Sequence, residues 1–339
     1  MVRALAIAIV AYMGCAPEKG SEVGKKDTTT GSTSTEDTDT DVTDTDVTDT
    51  DTTDTGPTTT GPDCSVPPPT PVNYQTINFF ETAEDFDIDG DGYLGTIDSG
   101  NLVGTDMSGD RILIAPNMVS GGSAGTRVLP NGDWVIADVG AGSLKLWEVA
   151  SGVKRTLLAG LSYPNGVEVD SNSYVYVAEN SGARLRWVHS VTGDSGTISN
   201  TLVQPNGVIL SPDEQTIYVG SFGGGVVYAI DRVAPNTQEW TNQRVLYETQ
   251  GPDGGFDGVN VDICGNVYIT EFTTGKIYRI SPDGLDTALV VDLPSFWIPN
   301  MRWGHGINGW DTDILYVSDF GKIYALEMGI EGKKHILLP

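Results

Sequence analysis

Apolar and polar residues alternate along residues 256–280, FDGVNVDICGNVYITEFTTGKIYRI, in three short passes. Val259 and Val261 alternate with polar neighbours, 263–266 turns the chain, 267–270 returns, and 276–280 makes a third pass after Thr-Thr-Gly. β-Branched and aromatic residues at period two, punctuated by Gly and Asn, mark half-buried antiparallel strands. The same phrase recurs from Glu84 (EDFDIDGDGYL), Gly125 (GTRVLPNG, the weakest copy), Asn165 (NGVEVD), Asn206 (NGVILSPD) and His305 (HGINGW), each followed by a returning strand pattern. Counting Asp257 as the start of its copy, the steps are 41, 40, 41, 51 and 48 residues. Strand-only self-similarity at this period is the signature of radially arranged blades. Six copies predict an all-β chain folded as a six-bladed β-propeller.

The innermost strand of a blade lines the central channel, so the first residue of each copy is expected at one mouth. In chain order that ring reads Glu84, Gly125, Asn165, Asn206, Asp257 and His305; a longer hairpin leaves the His305 register open by a residue. Four of the six are hard oxygen donors, two carboxylates and two carboxamides, which is the donor set of Ca²⁺. A merely solvated ring is the alternative. No Cys or His group has zinc-like spacing. Asp87 to Asp98 partly matches a calcium-binding loop, but the twelfth position is Asp and neither flank has helical periodicity, so a hairpin turn accounts for it. Gly223-Gly224-Gly225 reads as a tight turn, and no Gly-x-Ser-x-Gly elbow is present.

Composition changes the picture at the N-terminus. The 339 residues carry 19 basic and 46 acidic side chains, a net charge of −27. The first 70 residues hold 4 of the basic and 13 of the acidic ones, so the remainder is strongly acidic too. That balance excludes nucleic acid and anionic membrane surfaces as partners, because phosphate binding needs clustered Lys and Arg. Arg3 and the ten apolar residues 4–13 form a targeting segment too short to span a bilayer. It ends in Tyr12-Met13-Gly14-Cys15, which resembles a bacterial lipobox with Cys15 as the lipidated residue, although Tyr12 and Met13 depart from its usual pattern. An ordinary signal peptide is the other reading. Ala16 after the cysteine favours the outer membrane, facing the periplasm or the cell surface. Thr, Asp, Ser, Gly and Pro dominate from there to Pro71, offering almost nothing to bury, so a disordered tether is expected. The expected organisation is a signal over 1–15, a linker over 16–71 and a propeller over 72–339. Cys64 and Cys264 either pair or remain free thiols; export permits the pair.

The residues also resemble a known family. Glu84-Asp85 before Phe-Asp-Ile, Asn165 and Asn206 in two Pro-Asn-Gly motifs, and Asp257 in Phe-Asp-Gly-Val-Asn-Val-Asp are similar to the senescence-marker/gluconolactonase family of six-bladed calcium propellers, with its paraoxonase and strictosidine-synthase relatives. The likeness covers about residues 73–339. It implies that Glu84, Asn165, Asn206 and Asp257 hold the metal and that Asp257 doubles as a general base. It further implies a hydrolase of small-molecule lactones or esters; a monomer is expected, touching the membrane only through the lipid anchor that the lipobox-like segment suggests. Paraoxonases carry a catalytic His-Gly-Ile in the second blade; here that position is Gly125 and a His-Gly-Ile stands instead at His305. His305 is therefore either a displaced base or a structural histidine. Phe222, Phe272, Phe320, Trp297, Trp303 and Trp310 are candidates to wall an apolar pocket over the metal, or to pack blades. A non-catalytic propeller binding a protein or glycan is the competing function, and lyase chemistry on a related propeller is a third.

Overall fold

The computed structural model describes residues 63–65, 67–80, 84–249 and 255–337. The expected signal, Cys15 and most of the tether lie outside the described residues. Among those described, every regular element is a strand, and the strands form six four-stranded antiparallel sheets. The six-bladed β-propeller is what the repeat predicts. The innermost strands are Phe86–Ile88, Ser123–Val128, Pro164–Val169, Pro205–Leu210, Phe256–Val261 and Met301–Trp303. Each is followed outward by its next neighbours in sequence, so connections within a blade are short hairpins.

Blade six is the exception. Its outermost strand is Tyr74–Ile77, from the beginning of the propeller, paired with Ile323–Glu327 from its end. That strand closes the circle and leaves no unpaired gap between the first and last blades, which is how a ring of sheets protects its edges. Ten residues earlier Cys64 is bonded to Cys264, in the turn after the fifth inner strand, with Cα atoms 5.5 Å apart. The pairing left open by the sequence is thus present.

The blades are held by apolar faces pressed together. One cluster joins Tyr176 and Leu185 of blade three to Val208, Leu210, Ile217 and Val219 of blade four, and like clusters occupy the other seams. Complete burial of such side chains contributes about 1.5–3 kcal/mol each. A buried carboxylate in one seam is well partnered: Asp170 accepts from the backbone of Asn172 and Tyr174, from the Tyr176 hydroxyl and from buried Arg232. The 87–98 segment is a β-hairpin turn, with Asp89 accepting from the backbone of Asp91 and Tyr93, and residues 223–225 turn tightly between two strands of blade four.

Candidate metal centre at the channel mouth

Four consecutive inner strands share one irregularity. The pairing register slips by a residue between Ser123 and Thr126, Pro164 and Val167, Pro205 and Val208, and Phe256 and Val259. The residues inside these bulges are Ala124-Gly125, Asn165-Gly166, Asn206-Gly207 and Asp257-Gly258. A bulge re-aims one side chain off the regular alternation. The glycine beside it answers a different need. A Cβ on Gly166 would lie 2.2 Å from the Asn206 carbonyl oxygen, and one on Gly207 would lie 2.1 Å from that of Asp257. Neighbouring blades approach so closely here that only glycine fits. The repeated Asn-Gly is a bulge and a blade contact, not a hairpin turn.

These registers correct two ring positions. In blade two the residue equivalent to Asn165 is Ala124, and Gly125 is the close-approach glycine. In blade six the inner strand is Met301–Trp303, and Pro299-Asn300 meets Gly258 at the mouth. His305 is not in the ring. The hairpin between Trp303 and Ile314 is long and irregular, with its own Ile307–Trp310 bridge, so His-Gly-Ile lies within the turn rather than at a strand start. His305 instead stacks on His335, ring centroids 3.4 Å apart, near Asp87 and at the opposite end of the channel. The remaining ring members come together. Asn165, Asn206 and Asp257 are 6%, 4% and 5% exposed, while Glu84 is half-buried and hydrogen-bonded to Asn165.

The electrostatics of this cluster are unusual. Burial, with the charge of adjacent Asp85, pushes Glu84 up to about 7. Burial, with the charges of Glu84 and Asp85, raises Asp257 well above the ordinary carboxylate range. Among the described residues no lysine or arginine forms an ion pair with either. A buried and a half-buried carboxylate repelling each other without a Lys or Arg partner resist ionisation, and a bound cation would relieve that cost. With carboxamides completing the set, every donor is oxygen, which suits Ca²⁺. The residues fit the ion.

Three further residues reach this mouth without having been singled out. Asp85, one step inward, accepts from the Thr126 backbone and from Arg127 at 2.5 Å. Asn300 stands beside Gly258. Tyr163 sits two residues before Asn165 at a φ of 55°, the left-handed conformation that Gly255 adopts at the matching place before Asp257. Burial, with the charges of Glu84 and Asp257, raises the Tyr163 phenol. Its signal in the sequence was a bulky residue at a blade position that glycine would occupy without strain.

Of the aromatic residues expected over the metal, Phe222, Phe272 and Phe320 form an arc, with centroids 5.8 Å and 6.4 Å apart along it. Phe222 packs on Gly255, next to the Asp257 bulge. Trp297 is half exposed in the segment leading to Pro299. Trp303 and Trp310 are core residues instead: Trp303 packs edge-on to Tyr268, and buried Trp310 donates to the Gly92 carbonyl.

Comparison with known proteins fits this geometry. Residues 179–319 match the SMP-30/Gluconolactonase/LRE-like region. The resemblance read from the ring residues is to this family. A gluconolactonase of Zymomonas mobilis is 33% identical over 34% of this chain and 33% of its own length. A 6-deoxy-6-sulfogluconolactonase of Pseudomonas putida is 30% identical over 33% of this chain and 37% of its own. The chain thus aligns with about a third of the length of these relatives. Across the fold, regucalcin of Agrobacterium tumefaciens, a calcium-binding protein, superposes with a TM-score of 0.61 at 18% identity, covering 77% of this chain and 96% of that one.

Proposed function

We propose that Glu84, Asn165, Asn206 and Asp257 hold a calcium ion and that the protein hydrolyses lactones or esters at this mouth. The observation that carries the reading is the convergence of Asn165, Asn206 and Asp257, set by bulges repeated in successive blades, with half-buried Glu84, so that two carboxylates without a Lys or Arg partner meet two carboxamides. The gluconolactonases among the relatives supply the reaction class. A calcium ion held here would supply a Lewis acid, polarising a carbonyl and offsetting the charge of the tetrahedral intermediate.

The protein's own groups do the rest. Asp257, deprotonated when a cation occupies the site, would take a proton from the attacking water and return it to the leaving alkoxide. No imidazole competes for that role: the three histidines are His189, His305 and His335, and none lies in the ring. Tyr163 offers a phenolic O–H at the rim, and the Phe222–Phe272–Phe320 arc offers an apolar wall for the acyl or ring portion of a substrate. The Cys64–Cys264 disulfide supports export to an oxidising compartment, consistent with a lipid-anchored, outer-membrane protein held at Cys15.

The absence of a histidine base at the mouth also favours a second reading, a calcium-bound propeller that binds without catalysis. Calcium titration and hydrolysis of γ-lactones and aryl esters, on wild type, Glu84→Gln and Asp257→Asn, separate the two. Turnover in wild type and a loss of at least ~100-fold in Asp257→Asn is the expected result for a lost general base. Calcium binding with no turnover would leave the binding module. No calcium binding would overturn the metal reading.

A further inference from the structure

The opposite end of the channel holds a second polar site. The inner strands end at Val128, Val169, Leu210, Val261 and Trp303, and the C-terminal segment crosses beneath them. Lys333 donates its backbone N–H to the Val261 carbonyl, and Gly332 bridges to Asp262. The Lys333 ammonium pairs with Glu168 and reaches the Leu210 carbonyl at 3.3 Å. His335 lies 3.6 Å from Asp87, and Ile336 packs against the cluster joining blades two and three. Above this strap is a cavity of about 410 Å³, lined by Asp87, Arg127, Glu168, Asn260, Arg302 and His305 among others.

Of the buried arginines and carboxylates lining this cavity, Arg302 alone makes no ion pair among the described residues; Asp213, Glu214 and Lys334 lie at its solvent-facing rim. Asp87 accepts from the backbone of Ile88 and Val128. Glu168 is held by Lys333 and lies 3.5 Å from Arg127, which also pairs with Asp85. Arg302 has no counterpart. Its guanidinium is 6% exposed, makes no ion pair among the described residues, and leaves Nε and Nη2 without an acceptor. His305, 4% exposed, leaves Nδ1 equally unpartnered. Burial, with the positive charge of His335, lowers His305 to about 3, so its imidazole is neutral at ordinary pH and one nitrogen can donate. An unpaired buried guanidinium is costly, and its planar fork matches two oxygens of one anion.

We propose that this cavity binds a small oxyanion, a phosphate or a carboxylate, gripped by Arg302 and His305 above the C-terminal strap. The site is separate from the mouth and does not depend on the hydrolase reading. A cation fits less well, although ligand atoms of Asp87, His305 and His335 lie within 4.8 Å of one another. The two imidazoles stack at 22° with their faces together, so their nitrogen lone pairs do not converge on one point. The His335 Nδ1 is already occupied, accepting the Leu337 N–H at 3.3 Å.

The test is thermal unfolding of the full chain in phosphate or acetate against chloride at matched ionic strength, for wild type, Arg302→Met, Arg302→Lys and Asp257→Asn. A site loaded to about five times its Kd raises Tm by ~2–4 °C in a domain of this size. Such a rise is expected in wild type and in Asp257→Asn, with phosphate, acetate or both, and the anion that produces it identifies the ligand class. It should be absent in Arg302→Met and weakened in Arg302→Lys, which keeps the charge but not the fork. Phosphate also stabilises proteins by exclusion from their surfaces, but that effect is equal in all variants. An equal rise in Arg302→Met, no rise in wild type, or a rise with Zn²⁺ in place of either anion would overturn the proposal.

Discussion

Glu84 and Asp257 show how far burial, together with neighbouring carboxylates, can carry an acid. Both are raised from their ordinary values, Glu84 to about 7. A raised carboxyl contributes stability that is complete below its unfolded pKa and disappears as pH rises through its folded value. The metal-free propeller is therefore expected to lose stability between about pH 4.5 and 7, the opposite sign to a salt-bridged acid, whose contribution grows with pH at lower values. Calcium should invert the trend, because the ion binds the deprotonated pair. Affinity is predicted to fall about ten-fold or more per pH unit below 7, with proton release on binding. Calorimetry in two buffers of different ionisation enthalpy measures both, and a pH-independent affinity would contradict the burial argument. The bulge glycines test the same geometry sterically. Gly207→Ala sets a methyl 2.1 Å from the Asp257 carbonyl oxygen. Overpacking of this kind costs about 1–3 kcal/mol, and calcium affinity should drop with it because Asp257 must move.

At the scale of strands and blades, most of the organisation was legible and the offsets were not. Val259 and Val261, and their counterparts in other copies, announce inner strands because a half-buried strand must alternate. Asn165, Asn206 and Asp257 stood out because the residue before a repeated glycine changed while the strand after it did not. What sequence could not show was the bulge. A bulge adds a residue to one strand only, so the repeat read from sequence starts on Gly125, one residue past Ala124. Blade six is displaced further in the sequence pattern, because the long hairpin after Trp303 contains a Gly-rich His-Gly-Ile that imitates the motif. Strand Tyr74–Ile77 carries no repeat signature at all, since its partner lies at the other end of the chain. Seam polar groups offer a prediction at this scale. Asp170→Ala leaves Arg232, whose side chain is 1% exposed, without its carboxylate. Breaking one half of a buried pair typically costs ~3–5 kcal/mol, seen as a fall in unfolding midpoint by calorimetry with the mouth chemistry unchanged.

For the whole molecule the closure of the ring matters more than any single contact. Blade six needs both ends of the propeller, so the last blade forms only when the first strand returns to it. The Cys64–Cys264 bond spans 200 residues of sequence and holds the start of the propeller near the fifth blade. Cys264→Ser should lower stability by ~2–5 kcal/mol. Amide exchange should show the loss concentrated in strand Tyr74–Ile77 and the blade it completes; uniform exposure across all six blades would contradict this arrangement.

The same bond decides where a load goes. A pull applied to the chain before Cys64 passes through the disulfide into the turn at Cys264, which is braced by the Asp262 carboxylate on the Cys264 and Asn266 amides. Residues between the bond and Tyr74 stay slack, so the strand that closes the circle is shielded from a peeling force. A load applied from the N-terminal side is thereby taken up by blade five rather than by the strand that closes the ring.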